Sequence, residues 1–326
     1  MNRRDLLKGM PWALTAGCAL GAAWLPGCQQ PLPPLKVSSH VWVGYELLFL
    51  ARELNYFHDA QVRLVEVPTN TASMMALSNR EVGMAALTLD EFLLARDGGV
   101  DVKAILVFDE SYGADAVLVK PEIRHLTDLR GKRIGVESTA VGALMLAKLL
   151  ESAGLTLADV DKVEVMLDRH VHAFQRGEVD AIITFEPMAQ QVRAKGGVSM
   201  LDSSQFPGLI VDVLVAYGEV LSEYPEASRA LLAGYFKAAE FMRSRPQEAA
   251  RLMAPRLRLS EVELAAAFEG IRIPDVVQNR RWLGGHAPGL VSAARSVGDI
   301  LTKAKLLRSP PTLSALCDSG YLPEQV

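Results

Sequence analysis

Four carboxylates in this sequence stand beside the ends of short apolar runs: Asp90, Asp115, Glu186 and Asp212. Carboxylates gathered at strand ends would hold a cation or accept hydrogen bonds, because several buried acids around an anion would be costly. Trp42 and Tyr45 also follow a strand-like run, and an aromatic placed there can stack on a ring or cover a cation. Glu46 follows at once. Two loops, Asn70-Thr71-Ala72-Ser73 and Glu137-Ser138-Thr139-Ala140-Val141, come after strands and open helices. Free amides at such ends, helped by Thr71, Ser138 and Thr139, hold anionic or carbonyl oxygens. Each residue also has a plainer use. The hydroxyls cap helices, Glu46 and Asp90 suit a first turn, Glu186 precedes Pro187 in a turn, Asp212 can pair with an arginine, and the aromatics can fill the core.

Other chemistry finds little footing. His170-Val171-His172 would share a face on a strand, but here the pair opens a helix, where the two rings diverge, and neither cysteine nor carboxylate stands at metal-ligand spacing. No Gly-x-Ser-x-Gly, His-Glu-x-x-His or phosphate loop occurs. No metal and no cofactor are expected.

The elements that would position these residues alternate. Strands are expected over 37–43, 62–67, 83–87 and 103–108, with helices over 46–57, 71–79 and 90–96 between them. A second series brings strands at 133–136, 163–166, 181–185 and 210–216. Its helices cover 140–153, closed by Gly154, and 172–176. Such alternation argues for an α/β protein with a mostly parallel sheet under helices. From Pro225 onward the chain reads as helices broken at Pro246, Pro255, Pro274, Pro288 and Pro310-Pro311.

The first residues give an address. Arg3-Arg4 precede an apolar run from Met10 to Leu25, and Leu25-Pro26-Gly27-Cys28 closes it. A charged start, an apolar stretch and a small residue before the cut mark an export signal, and the paired arginines point to the twin-arginine route. The run is shorter than the roughly 20 residues of a spanning helix. Residues 1–27 would be removed, and Cys28 would be lipidated and tether the protein to a membrane. Residues 28–35 form a proline-rich spacer. Without Arg3, Arg4, Lys8 and Asp5, 31 basic and 37 acidic residues remain, a net charge of −6. That balance disfavours nucleic acid. With only Cys28 and Cys317 left, no disulfide framework can form.

Several segments resemble one family. Trp42-Val43-Gly44-Tyr45-Glu46 resembles the opening motif of ABC-transporter periplasmic binding proteins of the nitrate/taurine/thiamine-precursor group. Leu129-Arg130-Gly131-Lys132-Arg133-Ile134-Gly135-Val136, Phe174-Gln175-Arg176-Gly177-Glu178-Val179-Asp180-Ala181 and Phe185-Glu186-Pro187 resemble later segments of the same proteins, in the same order. The resemblance implies a two-lobed, type II periplasmic binding fold with a hinge and a helical C-terminal region. Lobe one would hold residues 36–116 plus 212–326 and lobe two 117–211, with crossings near Ala116 and Asp212. It further implies a monomer that closes on a small molecule in the periplasm, or on the outer face of the cell membrane, and passes it to an ABC permease. Trp42, Tyr45, Glu46, Thr71, Asp90, Asp115, Ser138, Thr139, Glu186 and Asp212 are the expected ligand contacts.

Within that cleft the helix N-termini favour an anion and the acids favour an amine. A neutral or cationic nitrogen heterocycle, of the kind of a thiamine-precursor pyrimidine, reconciles them; a sulfonate or nitrate is the alternative. A module that docks on a membrane signalling receptor would present the same cleft. The pyrimidine-forming enzymes that share the fold rely on a cysteine-rich motif, and this chain has no cysteine between Cys28 and Cys317. The expectation is therefore a binding protein and not an enzyme.

Overall fold

Strands and helices sort into two β-sheets, and each sheet holds, between its neighbours, one strand that runs the other way. The computed structural model describes residues 32–324, so the export signal, Cys28 and the first half of the proline spacer lie outside the described residues. In chain order the strands are β1 (Leu35–Ser39), β2 (Val62–Glu66), β3 (Met84–Thr88), β4 (Val102–Ser111), β5 (Asp115–Val119), β6 (Arg133–Val136), β7 (Asp161–Glu164), β8 (Ala181–Phe185), β9 (Val198–Asp202), β10 (Val211–Tyr217) and β11 (Ile271–Arg272). The helices are α1 (Glu46–Glu53), α2 (Asn70–Ser78), α3 (Leu89–Asp97), α4 (Ala140–Ala153), α5 (His170–Gln175), α6 (Met188–Ala194), α7 (Gly218–Glu223), α8 (Pro225–Ser244), α9 (Pro246–Leu257), α10 (Glu261–Glu269), α11 (Val276–Leu283) and α12 (Gly289–Lys303).

The first sheet has the order β11-β4-β10-β3-β1-β2 and the second β7-β6-β8-β5-β9. Strands β1, β2 and β3 pair in parallel, as do β6, β7 and β8, but β10 lies antiparallel between β3 and β4, and β5 antiparallel between β8 and β9. The expected mostly parallel sheet is thus corrected to two mixed ones. The cause is the crossing itself. β5 has just arrived from the first sheet and β10 from the second, and each enters the new sheet from the cleft side, against the grain.

The crossings run through Tyr112–Ala114 and Ser203–Ile210. Asp115 and Ala116 already pair with Phe185 and Thr184, and Asp212 with Asp109 and Thr88, so these residues belong to strands and the connections lie a few residues earlier than Ala116 and Asp212. The crossings are bonded to each other: the hydroxyls of Ser111 and Ser203 lie 2.7 Å apart, and Gly113 N–H donates to Ser203 Oγ at 2.7 Å.

Local chemistry explains the elements. β3 and β10 are buried along their whole length, as strands covered on both faces must be, and both read as nearly continuous apolar runs. α4 starts at Thr139, whose hydroxyl accepts from Gly142 N–H at 3.2 Å, and ends at Gly154 with φ of 64°, where the left-handed turn favours glycine. Pro246 opens α9 as a first-turn proline, and Pro288 caps α12. Pro255 does not break its helix: α9 runs two residues past it before Arg258 turns left-handed, because a proline so close to the end disturbs only the last turn. Among the described residues no helix is long and apolar enough to cross a membrane.

Candidate ligand-binding cleft

The carboxyl ends of β1, β2, β3, β6 and β8 and the starting ends of β5 and β10 converge on one narrow cavity. This is the place where open α/β sheets take ligands. The first sheet contributes His40, Trp42, Asn70, Thr88, Ile210 and Asp212, and the second contributes Asp115, Glu137, Thr139, Val141 and Phe185. Phe185 meets Trp42 edge-on at 5.7 Å and His40 at 6.1 Å, so aromatic contacts join the two walls.

The segment Trp42-Val43-Gly44-Tyr45 acts as a clamp on the neighbouring strands β4 and β10. Trp42 Nε1–H donates to Asp109 Oδ2 on β4 at 3.1 Å, and Tyr45 O–H donates to Asp212 Oδ1 on β10. Gly44 makes the first bond possible, since a Cβ there would fall 1.8 Å from Asp109 Oδ2 and 2.8 Å from Trp42 Nε1. Asp109 and Asp212 face each other in register across β4 and β10. Like charges directly opposite repel, and both groups are buried. Burial first, then the neighbouring acids, push Asp109 up to about 8 and raise Asp212 well above the carboxylate range. The pair therefore holds a proton near neutral pH.

More acids surround this pair. Asp115 is pushed up to about 7 and Asp90 to about 6, both chiefly by burial, and Glu91 to about 8 by burial and the charge of Asp90. Burial raises Glu137 and Glu186 as well. Among the described residues no lysine or arginine lines the cavity. Its histidine is neutral: burial, then the charge of Arg256, lowers His40 to about 3. Several buried atoms have no hydrogen-bond partner, among them His40 Nδ1, Asn70 Oδ1, both oxygens of Asp90, Asp115 Oδ2 and Glu137 Oε1. Native structures leave few such groups. Those of His40, Asn70, Asp115 and Glu137 belong to residues that line one cavity, where a ligand's polar groups would satisfy them.

Of the residues expected at the site, Trp42, Asp115, Thr139 and Asp212 line the cavity. Tyr45 lies one layer behind, fully buried, with its hydroxyl on Asp212. Asp90 is buried at the start of α3, close enough to raise both Asp115 and Asp212. Others are turned elsewhere. Glu46 pairs with Arg256, Thr71 donates to Glu91 at 2.9 Å, Glu186 accepts from Arg193 and from Gln190 N–H at 3.1 Å, and Ser138 is exposed. α2 is capped by Thr69, which accepts from Ala72 N–H at 3.0 Å, so neither Asn70 nor Thr71 is its cap. Asn70, freed from capping, spans to Thr88 Oγ1 at 3.0 Å and lines the cavity.

His40 was not named from the sequence, and Asn70, Thr88, Glu137 and Phe185 lie in segments named there but were not themselves among the expected contacts, although each stands at or just beyond a strand end. That position was the available signal; which neighbouring side chain turns inward was not in it. His170 opens α5. Its Nε2–H donates to Val165 O at 3.2 Å and its Nδ1 accepts from Thr184 Oγ1 at 2.9 Å, which fixes a neutral tautomer. Among the described residues no group of histidine, cysteine or carboxylate side chains is arranged to hold a metal.

Residues 45–249 match the NMT1/THI5-like family model. A protein of Brucella abortus named as a binding protein is 27% identical over 167 residues, 50% of this chain and 52% of that one. The chain thus spans about half the length of such curated relatives. A Bacillus subtilis protein named as an aliphatic sulfonates-binding protein is 25% identical over 248 residues, 73% of this chain and 74% of its own. Among solved structures, the alkanesulfonate-binding protein of Xanthomonas axonopodis bound to MOPS superposes with a TM-score of 0.73 at 14% identity, over 89% of this chain and 99% of that one. A desulfurization enzyme superposes with a TM-score of 0.66 at 15% identity, over 89% and 97%. These likenesses give the fold: two lobes of the type II periplasmic binding kind, with a helical C-terminal region.

Proposed function

From the premise that the chain belongs to the NMT1/THI5-like family, we propose that it is an extracytoplasmic solute-binding lipoprotein. It closes two lobes on a small organic ligand and passes it to an ABC permease. One observation carries this reading: buried, unpartnered acceptors from both sheets converge on a single cavity between them. The paired crossings 112–114 and 203–210 serve as the hinge. Cys28 carries the lipid, and residues 28–35 stand the protein off the membrane. The curated relatives are named as binding proteins. The single described cysteine, Cys317, lies beside Ala104, outside the cavity lining, with its thiol pushed up to about 11, which leaves it a poor nucleophile.

The ligand carries amino or ring-nitrogen donors, of the kind found in a thiamine-precursor pyrimidine. Asp115, Glu137 and Asp212 accept from it, and Trp42 or Phe185 covers its ring or charge. A second reading, an aliphatic sulfonate, is favoured by the names of the relatives. In this cleft a sulfonate would need the acids protonated, as donors. The two readings differ in sign with pH. An ammonium or amidine ligand tightens as pH rises from 5.5 to 8.5 and the carboxyls ionise; a sulfonate weakens over the same span. Native mass spectrometry of the gently purified protein, against the same sample denatured, tests for a retained small molecule. Calorimetric titration with that compound at both pH values then assigns its class. A compound that binds more tightly at pH 5.5 overturns the amine reading.

A further inference from the structure

A groove of about 510 Å³ opens between the β4–β11 edge and the helices α11 and α12, and none of the residues lining it lines the cleft cavity. That size is ordinary for a small-molecule site. Part of the lining is apolar: Ile273, Pro274 and the indole of Trp282, which packs half-buried against the core. α12 comes close to that indole at Gly289, where a Cβ would fall 3.2 Å from Trp282 Cε3. The charged part is Glu110, Arg272 and Arg281. Glu110 is already engaged: Oε1 accepts from Gly208 N–H at 2.7 Å, and Oε2 stands 3.9 Å from Arg272. Arg281 is exposed and forms no ion pair or hydrogen bond among the described residues.

Two guanidinium groups against one engaged carboxylate, beside an indole, define a ligand class. We infer that this groove is a second binding site, for a flat organic anion such as an aromatic carboxylate. Arg281, the free cation, holds the carboxylate, since guanidinium and carboxylate match as a two-bond fork. The ring of the anion lies against Trp282, Ile273 and Pro274, where it is withdrawn from water. A cation would meet two arginines, and a small anion without a ring would leave the indole uncovered. The groove is also fastened to both crossings between the sheets, the hinge of the proposed binding cycle. Arg272 lies 3.4 Å above the Tyr112 ring of the first crossing. Gly270, just before β11, accepts at its carbonyl from Tyr112 N–H at 2.8 Å and Ala114 N–H at 3.1 Å. Only glycine allows that approach, because a Cβ on Gly270 would fall 2.9 Å from Ala114 N. Glu110 holds Gly208 of the second crossing. An occupant packed against Arg272 and Glu110 therefore restrains both crossings, whichever ligand the cleft takes.

The test titrates the full-length protein with 2-naphthoate, and with acetate as the anion without a ring, by calorimetry up to millimolar concentration. The expected result is that naphthoate binds one to one and acetate at least tenfold more weakly. Arg281→Glu, an exposed change remote from the cleft lining, should weaken naphthoate about tenfold or more, the worth of one charge-assisted bond. Trp282→Leu should weaken it too, and the Arg281 variant decides the question if the leucine one does not fold. Hydrogen exchange then reads the crossings. With naphthoate at ten times its dissociation constant, the amides of Tyr112, Ala114 and Gly208 should exchange up to about tenfold more slowly, and Arg281→Glu should remove that protection. No binding of naphthoate, or binding unmoved by Arg281→Glu, overturns the site. Acetate that binds as tightly as naphthoate overturns the ligand class. Unchanged exchange in both crossings, with binding that still depends on Arg281, overturns the restraint on the crossings. None of these failures touches the cleft reading, which stands or falls on the small molecule retained in native mass spectrometry.

Discussion

The two lobes contribute unequally to the cleft. In the first, the acids are built into the sheet. Asp109 and Asp212 lie opposite each other on neighbouring interior strands, each holding a donor from the Trp42–Tyr45 segment, with Asp90 nearby. In the second, most of the wall is loop and helix start, namely Glu137, Thr139 and Val141, with Phe185 closing one strand and Asp115 opening another. The first lobe resembles a prebuilt receptor and the second a lid. Preorganised acceptors cost stability when unfilled, so the first lobe is where ligand and folding energy should be most closely linked.

The sharpest way to break this comparison is to unpair the buried glutamate that supports the first lobe. Glu46 Oε1 depends on Arg256, which also reaches Glu66 at 2.9 Å and lies 3.4 Å above the Phe49 ring; Glu46 Oε2 already has no partner. Arg256→Ala should cost about 3 kcal/mol, since one partner of a buried pair is removed and the other stays. Urea unfolding reads this, and a loss under about 1 kcal/mol would mean that Glu46 is reached by water. Next in size, Tyr45→Phe takes the donor from Asp212, a fully buried acceptor. It should cost about 2 kcal/mol and weaken ligand binding. Unchanged stability would show that the Tyr45–Asp212 bond contributes nothing net.

The acids also set a pH signature for the ligand-free protein. Asp109, Glu91 and Asp115 have folded-state values near 8, 8 and 7, all above the unfolded carboxylate range. The folded protein therefore keeps protons that the unfolded chain has released, and the stability they provide is lost as pH rises toward 8. His40, lowered to about 3, and His170, lowered to about 4, act with the opposite sign, but only below the ordinary histidine value of about 6.5. Between about pH 6.5 and 8 the carboxyl effect stands alone, and the melting temperature should fall by roughly 2 °C or more. Asp109→Asn should flatten that fall and raise the melting temperature at pH 8. A flat or rising wild-type profile in calorimetry would mean that the acids sit ionised and are not linked to folding.

Local signals were legible in the sequence, and non-local pairings were not. The helix 140–153 with its Gly154 stop, and the strands 133–136 and 181–185, have the bounds that periodicity and capping suggest. β5 and β9 escaped notice. β5 follows β4 after three residues, and nothing in a short apolar run says that it will enter another sheet in reverse. The same blindness affected the site. Strand ends located Trp42, Asp115, Thr139 and Asp212, but the family-like Glu46 and Glu186 each turn toward an arginine, Arg256 and Arg193, supplied by a helix. Arg256 is 210 residues from Glu46 in the chain. Residue type and spacing place an acid near a mouth; only packing decides whether it faces ligand or cation.

The smallest expected effect sharpens the contrast between those two glutamates. Glu186 loses its cation in Arg193→Ala, but Oε2 keeps the Gln190 N–H at 3.1 Å, at the start of α6. The arginine side chain is 31% exposed, against 18% for Arg256, so water can take its place beside Oε1. Glu186 therefore retains a charge-assisted bond and gains solvent, whereas Glu46 in Arg256→Ala has neither. Arg193→Ala should cost about 1 kcal/mol or less, as partly exposed pairs do. Since Glu186 does not line the cavity, ligand affinity should stay within about twofold, under half of a 1.4 kcal/mol tenfold step. Equal losses in the two arginine variants would mean that both lobes are supported alike, and the division into receptor and lid would have to be given up. A loss confined to Arg256→Ala places the rigid half of the site in the first lobe.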